Sequence, residues 1–248
     1  MALLEVDNLV KDFGGLRANH KISFRLAPDE LLGLIGPNGA GTTTLFNCIA
    51  GKYPVTSGRI VFDGDDITPL NAHEVARRGI ARTFQVYTAA GDLTVRENVM
   101  VGCFMRTPSR RAAREQADAI LADLNLSAAA SSFVSELPVA AQKKVTMATA
   151  LGTRPKLLLL DEVAAGLNPG EIEDIMASIR HIHHQMGVAV ILIEHVMELV
   201  MRTSDRLIVL DSGRKIAEGL PADIARNEQV IKAYLGERYV QGHGRERS

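Results

Sequence analysis

The segment Gly36-Pro37-Asn38-Gly39-Ala40-Gly41-Thr42-Thr43 lies between an apolar run of buried-strand character, Leu31–Ile35, and a helix-compatible stretch at 43–50. It fits the phosphate-loop pattern GxxxxGK[ST] at every fixed position but one, where Thr42 stands in place of lysine. The glycines serve a backbone that must curl until successive N–H groups converge on phosphate oxygens at a helix N-terminus, whose dipole also favours the anion. Those donors survive the substitution, and Thr43 keeps the hydroxyl that can ligate Mg²⁺. The ammonium that would bond the β- and γ-phosphates is gone. A charge-assisted hydrogen bond is worth ~1.5 to 3 kcal/mol, so phosphate binding is expected to weaken and not to vanish. Taken alone, the loop is also compatible with a glycine-rich turn that holds no ligand. The dinucleotide fingerprint GxGxxG does not fit, because the order here is G-x-x-G-x-G.

Two later runs have the same buried-strand character: Lys156-Leu157-Leu158-Leu159-Leu160, ending in Asp161-Glu162, and the run at 188–193, ending in Glu194-His195. Apolar runs with acids or His at their C-terminal ends, alternating with helical segments, indicate a parallel α/β sheet with its site along that edge. Residues 3–28 alternate loosely between apolar and polar, and Arg59-Ile60-Val61-Phe62 precedes the turn-rich Asp63-Gly64-Asp65-Asp66. This predicts an antiparallel layer. Ala113, Ala117, Ile120, Leu121 and Leu124 share one side of a helix within 112–126, and 139–151 makes a second, so the middle third is expected to be mainly helical. From Arg238 the tail lacks periodicity and apolar content and is expected to be disordered.

The 248 residues, 46% of them hydrophobic, suffice for one domain with a subdomain. A formal charge of -1 provides no broad basic face, so nucleic acid is not an expected partner. The two cysteines, Cys48 and Cys103, form neither a disulfide framework nor a spaced zinc ligand set, which fits a reducing cytosol. The N-terminal MALLEVDNLVKDF carries acids and a lysine where a signal peptide needs a basic start and an unbroken apolar stretch, and it is expected to be structure. The apolar runs fall far short of the ~18 to 20 residues that span a bilayer, so any membrane role is expected to run through a partner. His181, His183 and His184 sit on a helical stretch at spacings that do not share one face, which favours a solvated surface over a metal site. Cys48, on the helix after the loop, is expected to be a packed small residue.

An apolar strand ending in Asp-Glu is the Walker B arrangement: Asp161 can hold Mg²⁺, and Glu162 can orient or deprotonate an attacking water. Alone, such a pair is equally a solvated strand end. Together with the loop, and with Ala81-Arg82-Thr83-Phe84-Gln85, residues 157–169 (LLLLDEVAAGLNP) and Leu192-Ile193-Glu194-His195 in this order, the chain resembles ABC transporter ATP-binding subunits from about residue 3 to Gly236. The stretches IARTFQ, LTVRENVMVG, AAGLNP, LIEHVM and VIKAYLGE look most like subunits of branched-chain amino-acid importers, with the lipopolysaccharide exporter's subunit second.

The resemblance implies an α/β ABC-type P-loop nucleotide-binding domain over residues 1–237, with an antiparallel β layer and a helical subdomain at about 88–152, followed by the tail 238–248. ATP and Mg²⁺ would be its ligands. Gly36, Pro37, Asn38, Gly39, Ala40, Gly41, Thr42, Thr43 and Thr44 would cradle the phosphates, and Phe13 would stack on adenine. Thr43, Gln85 and Asp161 would serve Mg²⁺. Glu162, His195 and Gln85 would be catalytic, with His195 on the γ-phosphate and Gln85 linking to the membrane subunit. Gly166-Leu167-Asn168 would form a dimer-contact loop. As isolated residues, Phe13, Gln85 and His195 read as a core aromatic, a loop residue and a strand-end histidine.

The pattern breaks at the signature, commonly LSGGQ or LSYGQ. Here it is Leu137-Pro138-Val139-Ala140-Ala141, followed by Gln142-Lys143-Lys144. The serine hydroxyl, the glycines and the glutamine amide are replaced, yet proline and alanine suit a helix start, so the fold is expected to persist while the phosphate contact is lost. Val163 stands where the family has proline, a change bearing on the rigidity of that loop. The implied partners are transmembrane permease subunits and a second ATP-binding subunit, identical or different, at the cytoplasmic face of the inner (plasma) membrane. The implied activity is ATP hydrolysis coupled to transport of branched-chain or related amino acids. A nucleotide-dependent clamp without turnover is the rival. A soluble ABC protein of translation or DNA repair would need two fused cassettes or a long coiled-coil insertion, and 248 residues contain neither.

Overall fold

The computed structural model describes residues 1–83 and 90–235. In chain order these form β1 (Leu4–Phe13), β2 (Leu16–Leu26), β3 (Leu31–Ile35), α1 (Thr42–Ile49), β4 (Ser57–Phe62), β5 (Asp65–Asp66), α2 (Ala72–Arg78) and β6 (Ile80–Arg82). There follow α3 (Val95–Cys103), α4 (Arg110–Asp123), α5 (Val139–Gly152), β7 (Leu157–Asp161), α6 (Pro169–His184), β8 (Ala189–Ile193), α7 (Met197–Thr203), β9 (Arg206–Asp211), β10 (Arg214–Gly219), α8 (Pro221–Ile224) and α9 (Glu228–Leu235). The chain divides into two compact units: residues 1–72 with the described residues from 192 onward, and residues 73–191.

The first unit holds the expected antiparallel layer, in the order β2-β1-β4-β5. Leu4 pairs with Leu26 on one side and Phe62 on the other, and all three are buried. The alternation in β1 is loose because its register shifts between Val6 and Leu9 and again after Leu9, with Asn8 at φ 47. The same unit contains the strand order β10-β9-β3, with β3 parallel to β9 and β10 antiparallel. Every residue of β3 is buried, as its unbroken apolar run requires. Ile35, Val200, Leu207, Val209, Ile224 and Val230 form a core in which α7, α8 and α9 close over β3 and β9. Each such side chain contributes roughly 1.5–3 kcal/mol by leaving water. Arg206 ties β9 to the layer, bonding Glu30 at 2.7 Å and the Arg25 carbonyl at 2.6 Å.

In the second unit β6 and β7 run parallel, Ile80 opposite Leu157 and Arg82 opposite Leu159. The described α-helices of the 88–152 stretch are α3, α4 and α5; its boundary at 88 lies outside the described residues, as does the tail 238–248. Ala113, Ala117, Ile120 and Leu121 of α4 are buried, with Leu124 just after it, following the apolar stripe. Helix α5 begins at Val139 in spite of the altered signature: Pro138 fixes a helix-compatible entry at φ -57, and Gln142 N–H donates to the Pro138 carbonyl at 3.0 Å.

The histidines correct one expectation. His183 is buried, not solvated, and its Nδ1 lies 3.1 Å from the Val188 carbonyl. The reason is the turn after α6, which folds residue 188 back over the last helical turn. His181 remains partly exposed beside Asp123 at 3.6 Å. Cys48 is packed in the core as expected, and burial pushes its thiol up to about 11.

Candidate nucleotide-binding site

In the first unit, β3 delivers the chain to Gly36, and α1 carries it away from Gly41. The Ala40 amide closes a turn onto the Pro37 carbonyl at 2.9 Å, and Gly41 adopts φ 95 as it leads into the helix. Only glycine fits at the entry: a Cβ on Gly41 would lie 2.5 Å from the Ala18 carbonyl oxygen and 2.6 Å from Asn19 Nδ2. Asn19, fully buried, donates from Nδ2 to the Gly41 carbonyl at 3.0 Å, and the Gly213 amide donates to the Ala40 carbonyl at 3.0 Å. The curl is thus held by β2 and by the β9–β10 turn. No side chain caps α1, so its first-turn amides remain directed at whatever occupies the helix N-terminus.

Beside this N-terminus lies a cavity of about 460 Å³ lined by Phe13, Arg17, Thr42, Thr43, Thr44 and Gly213 among others. That volume suits a small ligand. Phe13 is 43% exposed, which sets it apart from a core aromatic. Its ring meets Tyr53 edge-on at 5.3 Å and 86°, and Lys11 Nζ stands 4.6 Å from its centroid while donating to the Pro54 carbonyl at 2.9 Å. Ring, cation and neighbouring aromatic therefore orient one another. Thr42 is buried and Thr43 exposed. The cavity accordingly brings together Phe13, Gly39, Gly41, Thr42, Thr43 and Thr44 from the sequence-predicted set. In the same unit His195 is exposed just after β8, with Glu194 buried before it.

In the second unit, β7 ends in Asp161, which is buried and bonded at Oδ2 by Arg82 Nη2 at 2.7 Å. Thr83 adds a hydroxyl that accepts the Asp161 amide at 3.3 Å. Glu162 follows at φ 50, in the left-handed region, and Val163 packs inward where the family has proline. Lys143 of α5 donates to the carbonyls of Glu162 at 3.3 Å and Ala165 at 2.7 Å, fastening the loop to the signature helix. Asn168 spends its side chain on the helix cap of α6, accepting from the Glu171 amide at 3.0 Å, while the Asn168 amide donates to the Glu171 carboxylate at 3.0 Å. The carboxylate of Asp161 is a hard oxygen donor of the kind Mg²⁺ takes. Gln85 lies outside the described residues.

Sequence reasoning missed several contributors. Asn19 lies in no motif, and Arg82 and Lys143, although inside or beside stretches that carry the resemblance, were given no role by it. Tyr234 on α9 has its hydroxyl toward the Gly36 backbone; burial pushes it up to about 12, with the Gly36 contact opposing. The capping pair Asn168 and Glu171 was visible as Asn-x-x-Glu ahead of an apolar run.

Residues 19–165 match the ABC transporter family, and residues 214–240 match the branched-chain amino acid ATP-binding cassette transporter segment. The chain is 41% identical over 251 residues to the high-affinity branched-chain amino acid transport ATP-binding protein BraF of Pseudomonas aeruginosa, covering 95% of this chain and 98% of that one. It is 40% identical over 250 residues to LivG, of the same description, from Escherichia coli K12, with 95% and 98% covered. Against the lipopolysaccharide export system ATP-binding protein LptB of Haemophilus influenzae the identity is 34% over 242 residues, with 96% and 99% covered. The fold matches the crystal structure of the ADP conformation of an ATP-binding cassette of an ABC transporter with a TM-score of 0.87 and 31% identity, covering 96% of this chain and all of that one. The strand–loop–helix cradle, the acid-ended β7 and these likenesses along nearly the whole length place the chain in the ABC transporter family, as an ATP-binding cassette.

Proposed function

We propose that this chain is the ATP-binding subunit of a branched-chain amino-acid importer, binding and hydrolysing ATP to drive transport. The observation that carries the substrate class is the match over residues 214–240, added to 41% and 40% identity with two branched-chain amino acid transport proteins. That segment supplies β10 through α9, including Tyr234 against Gly36, so it is part of the nucleotide-binding unit and not an appendage.

In this reading Phe13 stacks on the adenine, and the loop from Gly36 to Thr44 holds the phosphates. Thr43, Asp161 and Gln85 serve Mg²⁺, which supplies charge neutralisation on the phosphates when bound. Glu162 orients the attacking water, and His195 approaches the terminal phosphate. Among the described residues no helix is long and apolar enough to cross a membrane, so permease subunits supply the membrane path at the cytoplasmic face. A second ATP-binding subunit, identical or different, completes the working dimer.

The test is purification of the membrane complex, identification of the captured permeases, and ATPase assay with reconstituted uptake of leucine, isoleucine and valine. Capture of lipopolysaccharide-export permeases, or uptake indifferent to all three amino acids, would overturn the substrate assignment. The substitutions at Thr42 and at 138–141 favour a second reading, a clamp that closes on nucleotide without turnover. Single-turnover hydrolysis separates the two: phosphate released from one bound equivalent supports catalysis, and its absence from an ATP-loaded complex supports the clamp.

A further inference from the structure

No residue of the loop at 36–44 carries a positive charge, and Thr42, at the lysine position, is buried. Among the described residues lining the adjoining cavity, Arg17 alone has a formal charge. It stands at the start of β2, directly opposite Asp12 of β1 in the strand register. Its guanidinium donates from Nε to Asp12 Oδ1 at 2.9 Å and from Nη2 to Asp12 Oδ2 at 3.1 Å, and Nη1 lies 3.3 Å from His20 Nδ1. So held, the side chain is still 52% exposed. The pair is bidentate yet open to solvent, and the same planar fork that grips a carboxylate grips a phosphate.

Building on the nucleotide-binding reading, we infer that Arg17 supplies from β2 the positive charge the phosphate loop lacks, contacting the phosphate chain of bound ATP, with Asp12 as its counter-ion in the nucleotide-free state. The phosphate chain carries more charge than one carboxylate, so the exchange of partner is favourable in sign. Asp12 then acts against binding. Its carboxyl is held below the usual range first by the hydrogen bond from Arg17.

Titration calorimetry of the full chain with ATP, inorganic tripolyphosphate and adenosine tests this. Arg17→Gln is expected to weaken ATP and tripolyphosphate about tenfold and to leave adenosine unchanged. Arg17→Lys should keep most of the affinity, and Asp12→Asn should tighten ATP about threefold. With Thr42→Lys in place, Arg17→Gln should cost about twofold or less, because two cations on one phosphate chain are partly redundant. An equal loss for ATP and adenosine would make Arg17 part of the base wall and overturn the inference. So would a full tenfold loss in the Thr42→Lys background, which would make the two cations independent. ATP binding that ignores Arg17→Gln sinks this inference alone. Failure of both the parent and Thr42→Lys to bind ATP sinks the nucleotide reading and the inference with it.

Discussion

Thr42 shows how one side chain can be lost from a motif without loss of its geometry. The loop is held by backbone bonds from Ala40 to Pro37 and from Gly213 to Ala40, and by the Asn19 amide, none of which involves residue 42. Thr42→Lys is therefore expected to add one charge-assisted contact and tighten ATP about tenfold by calorimetry, with the melting temperature little changed. Unchanged affinity would mean that the missing charge is not what limits binding. Asp161 and Arg82 present the opposite case, a pair whose side chains are 1% and 10% exposed. Removing either partner takes the opposite charge away from a buried ion, so Arg82→Met should cost about 3 kcal/mol or more in urea unfolding. A loss below about 1 kcal/mol would mean that water solvates Asp161. The thiols follow burial too. Cys48 and Cys103 are both pushed up to about 11, so they stay protonated at pH 8. A disulfide reagent should label neither in the folded chain and both in urea. Because the unfolded thiols ionise near 9, this effect on stability is absent at neutral pH and turns destabilising as the pH rises from 9 toward 11.

At the scale of elements, the loop after β7, which holds the proposed catalytic Glu162, is positioned by its neighbours. Lys143 joins α5 to the Glu162 and Ala165 carbonyls, and the Asn168 cap fixes the start of α6 just beyond. Lys143→Met is expected to lower turnover about tenfold while leaving ATP affinity unchanged, since it loosens the placement of Glu162 without touching the cradle. Parallel losses in both would point to a folding defect. Asn168→Ala should cost about 1 kcal/mol through the lost cap. Apolar runs made the elements legible: Leu31–Ile35 coincides with β3, and the Asp-Glu terminus falls at the end of β7. His183 was not legible, because its burial depends on where residue 188 turns after α6, and no helical periodicity records that.

At the scale of the whole molecule, the proposed head-to-tail dimer would make the altered loop and the altered signature two halves of one phosphate-stabilising task. Charge and dipoles must surround the γ-phosphate from both sides, so repairing one side leaves the other limiting. Thr42→Lys alone should bind better yet hydrolyse little. Adding Pro138→Ser, Val139→Gly, Ala140→Gly and Ala141→Gln should raise phosphate release by more than the product of the two separate repairs. Glu162→Gln should then abolish turnover and favour an ATP-bound dimer. Steady-state phosphate release from the parent, each repair, the combined repair and its Glu162→Gln form decides the matter. Robust Glu162-dependent turnover by the parent would show that these substitutions are not catalytic defects.

What this sequence determined by itself is local and periodic: the glycine order of the phosphate loop, the apolar strands ending in acids, and the amphipathic stripe of α4. Strand and helix burial repeat with the backbone's own period, and the loop's curl needs glycine at fixed offsets, so each leaves a mark on consecutive residues. Tertiary structure alone decided the partners that come from afar. Asn19 reaches Gly41, Arg82 reaches Asp161, Lys143 reaches Glu162, and Tyr234 faces Gly36 across 198 positions of chain (234 − 36). Each pairing depends on which elements pack together, and packing brings close residues whose separation along the chain carries no signal.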